Sequence, residues 1–221
     1  MALVFEELDF QKTPLGEISL RRRSEPRLDG KILYEVKLGD DFLMSSLFTE
    51  TEIQLSRLGF AALDGSELDI AVGGVGLGYT AVVTLEDPSV RTLMVKPVID
   101  WHRRGSLVPL DEKLTSDLRC RLIHADFFEL AVNHNGLDRE DPDKLVHAVL
   151  LDIDHSPSHW LNSGNNAFYT EQGLQNLSGK LHPGGVFGLW SNDILIPVVS
   201  RPTHSTSPAK TNEQSDRNSK K

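Results

Sequence analysis

Cysteine is nearly absent from this sequence, because Cys120 is the only one among 221 residues. A single thiol excludes an intrachain disulfide and is typical of proteins kept in a reducing compartment. The chain also lacks a basic N-terminal segment followed by an apolar one, so no signal peptide is predicted. No apolar run approaches the roughly 18–20 residues that span a bilayer. These absences predict a soluble, cytoplasmic protein that does not enter the membrane.

Positive charge is scarce, since the sequence has 23 Lys and Arg residues but 32 Asp and Glu residues, which gives a formal net charge of −9. Nucleic acids and anionic membrane surfaces bind clustered Lys and Arg, so neither class of partner is expected. The negative balance suits a small cationic ligand such as a polyamine. The apolar content of 39% is ordinary for a globular chain of this length.

The N-terminal segment, residues 1–48, carries short runs of β-forming residues. An Asp29-Gly30 pair between two of these runs is a turn signal, so a small N-terminal hairpin or meander is predicted. The helix predicted next begins at Thr49, which can cap it together with Glu52 three residues on.

From residue 67 onward, apolar runs alternate with helix-compatible segments. Helices are predicted in "YTAVVTLED", "PVIDWHRRG" and "NNAFYTEQGLQNLSGKL"; strands are predicted in "LDIAVGG", "VRTLMVK", "CRLIHADFFEL" (running into a loop), "KLVHAVLLDID" and, after an "HPGG" turn, "VFGLWSND". Near-continuous apolar strands separated by helices indicate a parallel sheet covered on both faces. The sequence predicts an α/β, Rossmann-like, doubly wound domain over 49–199 and a disordered polar tail over 200–221.

Four glycines separate the first of these strands from its helix in the stretch "LDIAVGGVGLGYTA": Gly73, Gly74, Gly76 and Gly78. Glycine lets the backbone turn sharply and approach a ligand with no Cβ in the way, and the following helix offers free N–H groups. Asp126, Asp152 and Asp154 follow other predicted strands, whose carboxyl ends share one edge of the sheet. The pattern predicts a ligand crevice at this edge. The alternative is a structural turn that binds nothing.

The stretch "DIDHSPSH" contains the residue types of metal sites and of hydrolases. His155 and His159 are four apart, but Pro157 between them indicates a loop rather than one helix face, so no metal site is predicted. Asp154, His155 and Ser156 are adjacent and cannot line up as nucleophile, base and orienting group. A hydrolytic triad is therefore excluded.

Five segments in order resemble the spermidine synthase-like branch of the class I S-adenosylmethionine-dependent methyltransferase superfamily, over about residues 28–193. These segments are "LDIAVGGVGLGYTA", "PVIDWHRRG", "LIHADFFEL", "VLLDIDHSP" and "NNAFYTEQGLQNLSGKLHPGGVFGLWS". The resemblance implies S-adenosylmethionine or its decarboxylated form as co-substrate, with no metal. Aminopropyltransferases of this branch move an aminopropyl group onto putrescine, giving spermidine and methylthioadenosine. A transferase with a polyamine as the small-molecule substrate is thus implied.

The resemblance also implies residues for the nucleoside. Gly74, Gly76 and Gly78 would form the turn against the nucleoside and its sulfonium-bearing chain. Asp126 would accept a hydrogen bond from the adenine amino group, and Phe127 would lie close to the ring.

Further positions match the acceptor side of these enzymes. Asp152 matches the strand-end aspartate that holds the cationic amine and helps remove its proton, and Asp154 is a second catalytic candidate. His155 and Tyr169 are candidates for binding the substrate. Trp101 is interpreted either as a packing residue or as a cover of the adenosine pocket.

The sequence departs from this branch in four places. One is the pattern of two aspartates separated by two residues, which here reads "DIDH" with His155 at the second position. The strand "RTLMVKP" ends without the acidic residue that grips the ribose, and the polyamine-binding segment reads "SSLFTETE", in which Glu50 and Glu52 are the remaining acids. Nothing after Val199 resembles the last two strands of the fold, so the chain is altered at its end or a homodimer covers the exposed edge. Three functions stay open: an aminopropyltransferase-like enzyme, a methyltransferase of a small acceptor, and a non-catalytic relative.

Overall fold

The computed structural model of the protein describes the following residues: 4–13, 16–96, 101, 110–153, 160–191 and 199–200. Within them the chain forms a four-stranded sheet and a six-stranded sheet. Helices flank the second sheet, so the predicted α/β architecture with a small N-terminal β-sheet is confirmed.

The N-terminal sheet is an antiparallel meander whose strands lie in the order of the sequence: β1 (Phe5–Thr13), β2 (Gly16–Glu25), β3 (Lys31–Leu38) and β4 (Asp41–Ser45). The turn into β3 uses the Asp-Gly pair, with φ of 53° at Asp29 and 80° at Gly30. The meander is therefore confirmed. Strand β1 was not predicted, because most of its side chains stay partly or fully exposed and give no clear apolar pattern.

The two faces of this sheet differ. On one face, Leu20 and Val36 form a buried cluster with Leu77 and Trp101, which ties the sheet to the glycine-rich turn. On the other face, the buried carboxylate of Glu35 is held by the guanidinium groups of two arginines of β2, Arg21 at 2.7 Å and Arg23 at 2.8 Å. Two cations on one carboxylate leave little of its charge uncompensated, as burial requires.

The second sheet has the strand order β10-β9-β8-β5-β6-β7, and its strands are β5 (Leu68–Gly73), β6 (Val90–Lys96), β7 (Cys120–Leu122), β8 (Val146–Leu151), β9 (Leu181–Leu189) and β10 (Val199–Ser200). The strands from β9 to β7 are parallel, as predicted. Every residue of β5 is buried, because this central strand is covered on both faces.

Five helices are described: α1 (Glu50–Ala61), α2 (Tyr79–Glu86), α3 (Leu110–Ser116), α4 (Phe127–Val132) and α5 (Glu171–Ser178). One core joins α1, α2 and α3 to the sheet face that carries Ile70 and Val72, and another joins α4 and α5 to the face that carries Ala71. The alternation along β5 thus supplies both layers of the doubly wound fold.

Several local predictions were wrong. Segment 127–132 is the helix α4 rather than a loop, and "HPGG" lies inside β9, where the register with β8 is irregular. The helix predicted over 165–181 is the shorter α5, preceded by a 3-10 turn. Thr49 does precede α1, but its side chain makes no capping hydrogen bond. The helix predicted to open at Pro97 lies outside the described residues, apart from Trp101.

Strand β10 pairs antiparallel with β9, Val199 opposite Phe187 and Ser200 opposite Val186. A short antiparallel strand thus stands where the sequence predicted none, and Ser200, predicted to begin the tail, belongs to it. Residues 201–221 lie outside the described residues, and the domain boundary at residue 48 stays a prediction. Among the residues the structure describes, no helix is long and apolar enough to cross a bilayer.

Candidate functional site

The glycine-rich turn leaves β5 at the carboxyl edge of the parallel sheet. Gly74, Gly76 and Gly78 have φ of 80°, 47° and 96°, in the left-handed region that favours glycine. The chain itself requires the absence of a side chain at Gly74, because a Cβ there would collide with the carbonyl oxygen of Asp152 and lie 2.5 Å from Cγ1 of Ile153. Gly74 therefore serves the close approach of β5 and β8, and the role of the glycines beside a ligand stays a prediction.

Asp152 follows β8 and lies beside this turn, since its backbone N–H donates to the carbonyl of Gly73 at 2.9 Å. The carboxylate is partly buried, and the hydroxyl of Thr80 on α2 donates to its Oδ2 at 3.5 Å. Burial, with a smaller contribution from the negative charge of Glu52, raises the pKa of Asp152 to about 7. Near neutral pH the site therefore holds a carboxylate that a cationic neighbour or a bound proton would stabilise.

Glu52 and Tyr79 complete this corner of the site. Glu52 stands in the first turn of α1, and its charge acts on both Asp152 and the phenol of Tyr79, so it faces the same region. Burial raises the pKa of Tyr79, whose phenol also forms a hydrogen bond with Ser46, the residue after β4. The N-terminal sheet, α1 and α2 thus surround the end of β8 with two carboxylates and hydroxyl groups.

The two acids that remain in the "SSLFTETE" segment have different environments. Glu52 is partly buried and faces Asp152, whereas Glu50 is exposed and accepts a hydrogen bond from Gln54 at 2.5 Å. The structure therefore singles out Glu52, which the sequence could not distinguish from its neighbour.

Asp126 lies at the same edge of the sheet, after β7. Strands lie about 4.8 Å apart, so the three steps from β8 to β7 separate these strands by about 14 Å. Its Oδ1 accepts hydrogen bonds from the backbone N–H groups of Phe128 at 2.8 Å and Glu129 at 3.1 Å, which caps α4. Asp126 is exposed, and its contact with an adenine amino group stays a prediction.

Two aromatic residues of the predicted site lie in the core on the α4 and α5 face. Phe127 is 3% exposed and packs edge-on against Phe128 and Phe168, with ring centroids 5.6 and 5.8 Å away. Tyr169 is partly buried and packs edge-on against Phe168 at 5.1 Å. Their roles beside a ligand stay predictions. Asp154 and His155 lie outside the described residues.

Trp101 was open to two interpretations, and the structure supports packing. Its side chain is 4% exposed, belongs to the cluster with Leu20 and Leu77, and donates its indole N–H to the carboxylate of Asp9 on β1. A buried indole with a hydrogen-bonded N–H is a well-satisfied anchor between the two sheets.

A second polar group, which the sequence analysis did not identify, crosses the opposite edge of the sheet. Asp69, His147 and His182 stand at the starts of β5, β8 and β9, with candidate ligand atoms within 4.8 Å of one another. The backbone N–H of Asp69 donates to Nδ1 of His147 at 3.0 Å, and Arg91 and Lys144 pair with the Asp69 carboxylate. Because the Asp69 carboxylate and Nδ1 of His147 already have these partners, we interpret the row as structural. The sequence does contain a signal for this group, because each of the three apolar strands carries one polar residue near its start.

His147 gives the fold a pH dependence. Burial and then the charge of His182 lower its pKa, so the folded protein keeps His147 neutral. The stability that it contributes is complete above its unfolded pKa of about 6.5 and is lost as the pH falls toward the lower folded value.

We expect His147→Asn, whose amide oxygen can replace Nδ1 as acceptor, to reduce the fall in Tm between pH 7 and pH 5. His124→Asn, at an exposed histidine, is the control. If Tm falls equally with pH in the wild type and in both variants, His147 is not the source of the pH dependence.

Comparisons with known proteins agree on the fold. The structure is similar to a spermidine synthase crystallised with the transition-state analogue AdoDATO, with a TM-score of 0.61 and 15% identity over 83% of this chain and 57% of the other. It is also similar to the spermidine synthase of Thermotoga maritima, with a TM-score of 0.60 and 15% identity over 83% of this chain and 56% of the other. A scan of protein-family models and a search of curated proteins found no match.

These likenesses establish a spermidine synthase-like fold. The chain spans a little over half the length of the two structures that it matches. At 15% identity the likeness concerns the fold alone.

Proposed function

We propose that this chain binds S-adenosylmethionine or its decarboxylated form at the carboxyl edge of the parallel sheet and that it transfers an aminopropyl group from the decarboxylated form to an amine of the polyamine class. The observation that carries the proposal is the partly buried carboxylate of Asp152, whose pKa is raised to about 7 and which faces Glu52. The spermidine synthase-like fold is consistent with this chemistry.

The charges of the site favour cations. The sulfonium donor and the protonated amine acceptor are both positively charged, and Asp152 and Glu52 supply the opposite charge. Attraction between charges strengthens where water is partly excluded, as it is around Asp152. The carboxylate of S-adenosylmethionine would be repelled by the same two residues, so the decarboxylated donor suits this corner better.

Asp152 also suits the proton transfer that the reaction needs. An amine must lose its proton before its lone pair can attack, and a base whose pKa lies near the working pH serves best. With that proton on Asp152, the amine forms a C–N bond as the C–S bond breaks. The electron pair of the broken bond stays on sulfur, and methylthioadenosine leaves as a neutral thioether.

The remaining predicted residues are assigned to the donor and acceptor as follows. The turn at Gly74, Gly76 and Gly78 is proposed to lie along the nucleoside, with Asp126 at the adenine. Tyr169 is proposed on the acceptor side. The parallel order β8-β5-β6-β7 supports this arrangement, because it brings the glycine turn and both aspartates to one edge.

A non-catalytic relative is the second candidate, and two observations favour it. The contacts of Gly74 with Asp152 and of Gly76 with Met44 account for two of the bare positions without any ligand. The end of β6 also carries Lys96 in place of an acid that could bind ribose hydroxyls.

Calorimetric titration of the wild-type protein with S-adenosylmethionine and with the decarboxylated form tests the proposal. We expect tighter binding of the decarboxylated form, and transfer to putrescine measured by release of methylthioadenosine. Glu52→Gln should raise the KM for the amine about tenfold, the effect of about 1.4 kcal/mol of lost attraction. Glu50→Gln, in the same helical turn but exposed, is the matched control. If neither nucleoside binds below the millimolar range, the proposal fails and the non-catalytic relative remains.

A further inference from the structure

Met44 lies where the N-terminal sheet meets the glycine-rich turn. It stands on β4 opposite Val36 of β3 and packs against the cluster formed with Leu77. A Cβ built on Gly76 would lie 2.8 Å from both Sδ and Cε of Met44. The thioether therefore rests directly on the backbone of the turn, at a residue whose φ of 47° disfavours any side chain.

Among the residues whose side chains the structure describes, Met44 is the more exposed of two methionines. Met94 on β6 is fully buried, and burial raises the pKa of the Cys120 thiol to about 12, which keeps it from forming the reactive thiolate. The side chain of Met44 is partly exposed. A thioether needs no deprotonation to react with a peroxide, so its access decides its rate.

We propose that Met44 is a sulfoxidation site, and that a peroxide-class oxidant acting there loosens the glycine-rich turn and lowers the affinity of the site for its ligand. In the step, a lone pair of Sδ attacks one peroxide oxygen. An S–O bond forms and the O–O bond breaks; sulfur loses two electrons, and hydrogen peroxide is reduced to water. Enzymes of the methionine sulfoxide reductase class reverse this reaction.

The geometry explains why the oxidation would reach the site. The added oxygen enlarges a side chain that already touches the backbone at Gly76, and it places a strong dipole against the apolar residues Leu77 and Val36. A strong dipole placed against apolar side chains is destabilising, so the contact between β4 and the turn is expected to open. The effect on ligand binding rests on the proposed function, whereas the oxidation and the opening of the turn do not.

The test treats the wild-type protein, Met44→Leu and Met94→Leu with hydrogen peroxide. Peptide mass spectrometry should find one added oxygen on Met44 well before Met94 in the wild type. Amide hydrogen exchange over residues 74–78 should then rise about tenfold in the wild type and in Met94→Leu. Peroxide should leave this exchange unchanged in Met44→Leu, a substitution of similar volume.

The affinity for the donor nucleoside should fall about tenfold after oxidation of the wild type, as expected for one unpaired polar group. Oxidation of Met94 as fast as Met44, or unchanged exchange at the turn after oxidation of Met44, would overturn the proposal. Both of these readouts come from the wild type, so they hold even if a variant fails to fold. If neither form binds a nucleoside, the proposed function fails while the mass and exchange data still decide the oxidation.

Discussion

Asp152→Asn is expected to slow amine transfer strongly and, at pH 8, to raise the stability of the fold. The amide cannot accept a proton and carries no charge for the amine, so general-base catalysis worth about 10²–10⁴ in rate should be lost. Nucleoside affinity should change little, because the amide still fits beside Thr80. Turnover by methylthioadenosine release and affinity by calorimetry separate the two effects.

The stability gain follows from the direction of the pKa shift. In the folded protein the pKa of Asp152 is raised from 3.8 to about 7, so the ionised form is disfavoured by folding. Its contribution to stability is therefore complete below pH 4 and is lost as the pH rises from about 4 to about 7. Each pKa unit is worth about 1.4 kcal/mol in full burial, and because solvent partly reaches the carboxylate we expect a gain of about 1–2 kcal/mol at pH 8.

Asp143→Asn, at an exposed carboxylate, is the control for the loss of one negative charge. In the wild type kcat/KM should rise through pH 7 as Asp152 ionises, whereas any residual activity of Asp152→Asn should lack this rise. A variant that keeps wild-type turnover would show that Asp152 does not handle the proton. A variant with unchanged Tm at pH 8 would contradict its burial.

Gly74→Ala is expected to destabilise the fold by about 3–5 kcal/mol, which is exceptional for one methyl group. Two costs add: the left-handed backbone, with φ of 80°, and the collision of the new Cβ with Asp152 and Ile153. The collision with the carbonyl group of Asp152 falls on backbone where β5 and β8 meet, so a movement of the Ile153 side chain cannot relieve it.

Gly39→Ala separates these costs. Gly39 also has a left-handed φ, 57°, but a Cβ there would meet nothing within 4 Å. Its cost should therefore be the conformational one alone, about 1–2 kcal/mol. Denaturant unfolding of both variants gives the difference, and equal costs would mean that the end of β8 does not approach the turn closely.

The sequence predicted most of the fold because the fold depends on local patterns. Near-continuous apolar runs such as "LDIAVGG" identify strands buried on both faces, and β5 is buried throughout. The exposed strand β1 and the short helix α3 escaped prediction, since neither has a strong apolar period. The "HPGG" segment predicted a turn but lies within strand β9, because the pairing of β9 with β8 overrides the local turn propensity.

The candidate site was predicted less completely, because its geometry depends on contacts between distant segments. Asp152 was recognised from its place after β8, but its partner Glu52 lies 100 residues away on α1 and looked equivalent to Glu50. Likewise, the absence of side chains at the glycines was interpreted as leaving space for a ligand. In the structure, Asp152 fills the space beside Gly74 and Met44 fills the space beside Gly76.

Local order along the chain was sufficient to determine the alternating strands and helices, the parallel sheet, and the acids and glycines at its carboxyl edge, because periodicity and residue type act over short distances. Only the tertiary structure decided which acid faces Asp152, what raises its pKa, which histidines meet across the opposite edge, and which side chain rests on the turn. Those features arise where segments far apart in sequence approach within a few ångströms, and burial and charge then act across the gap.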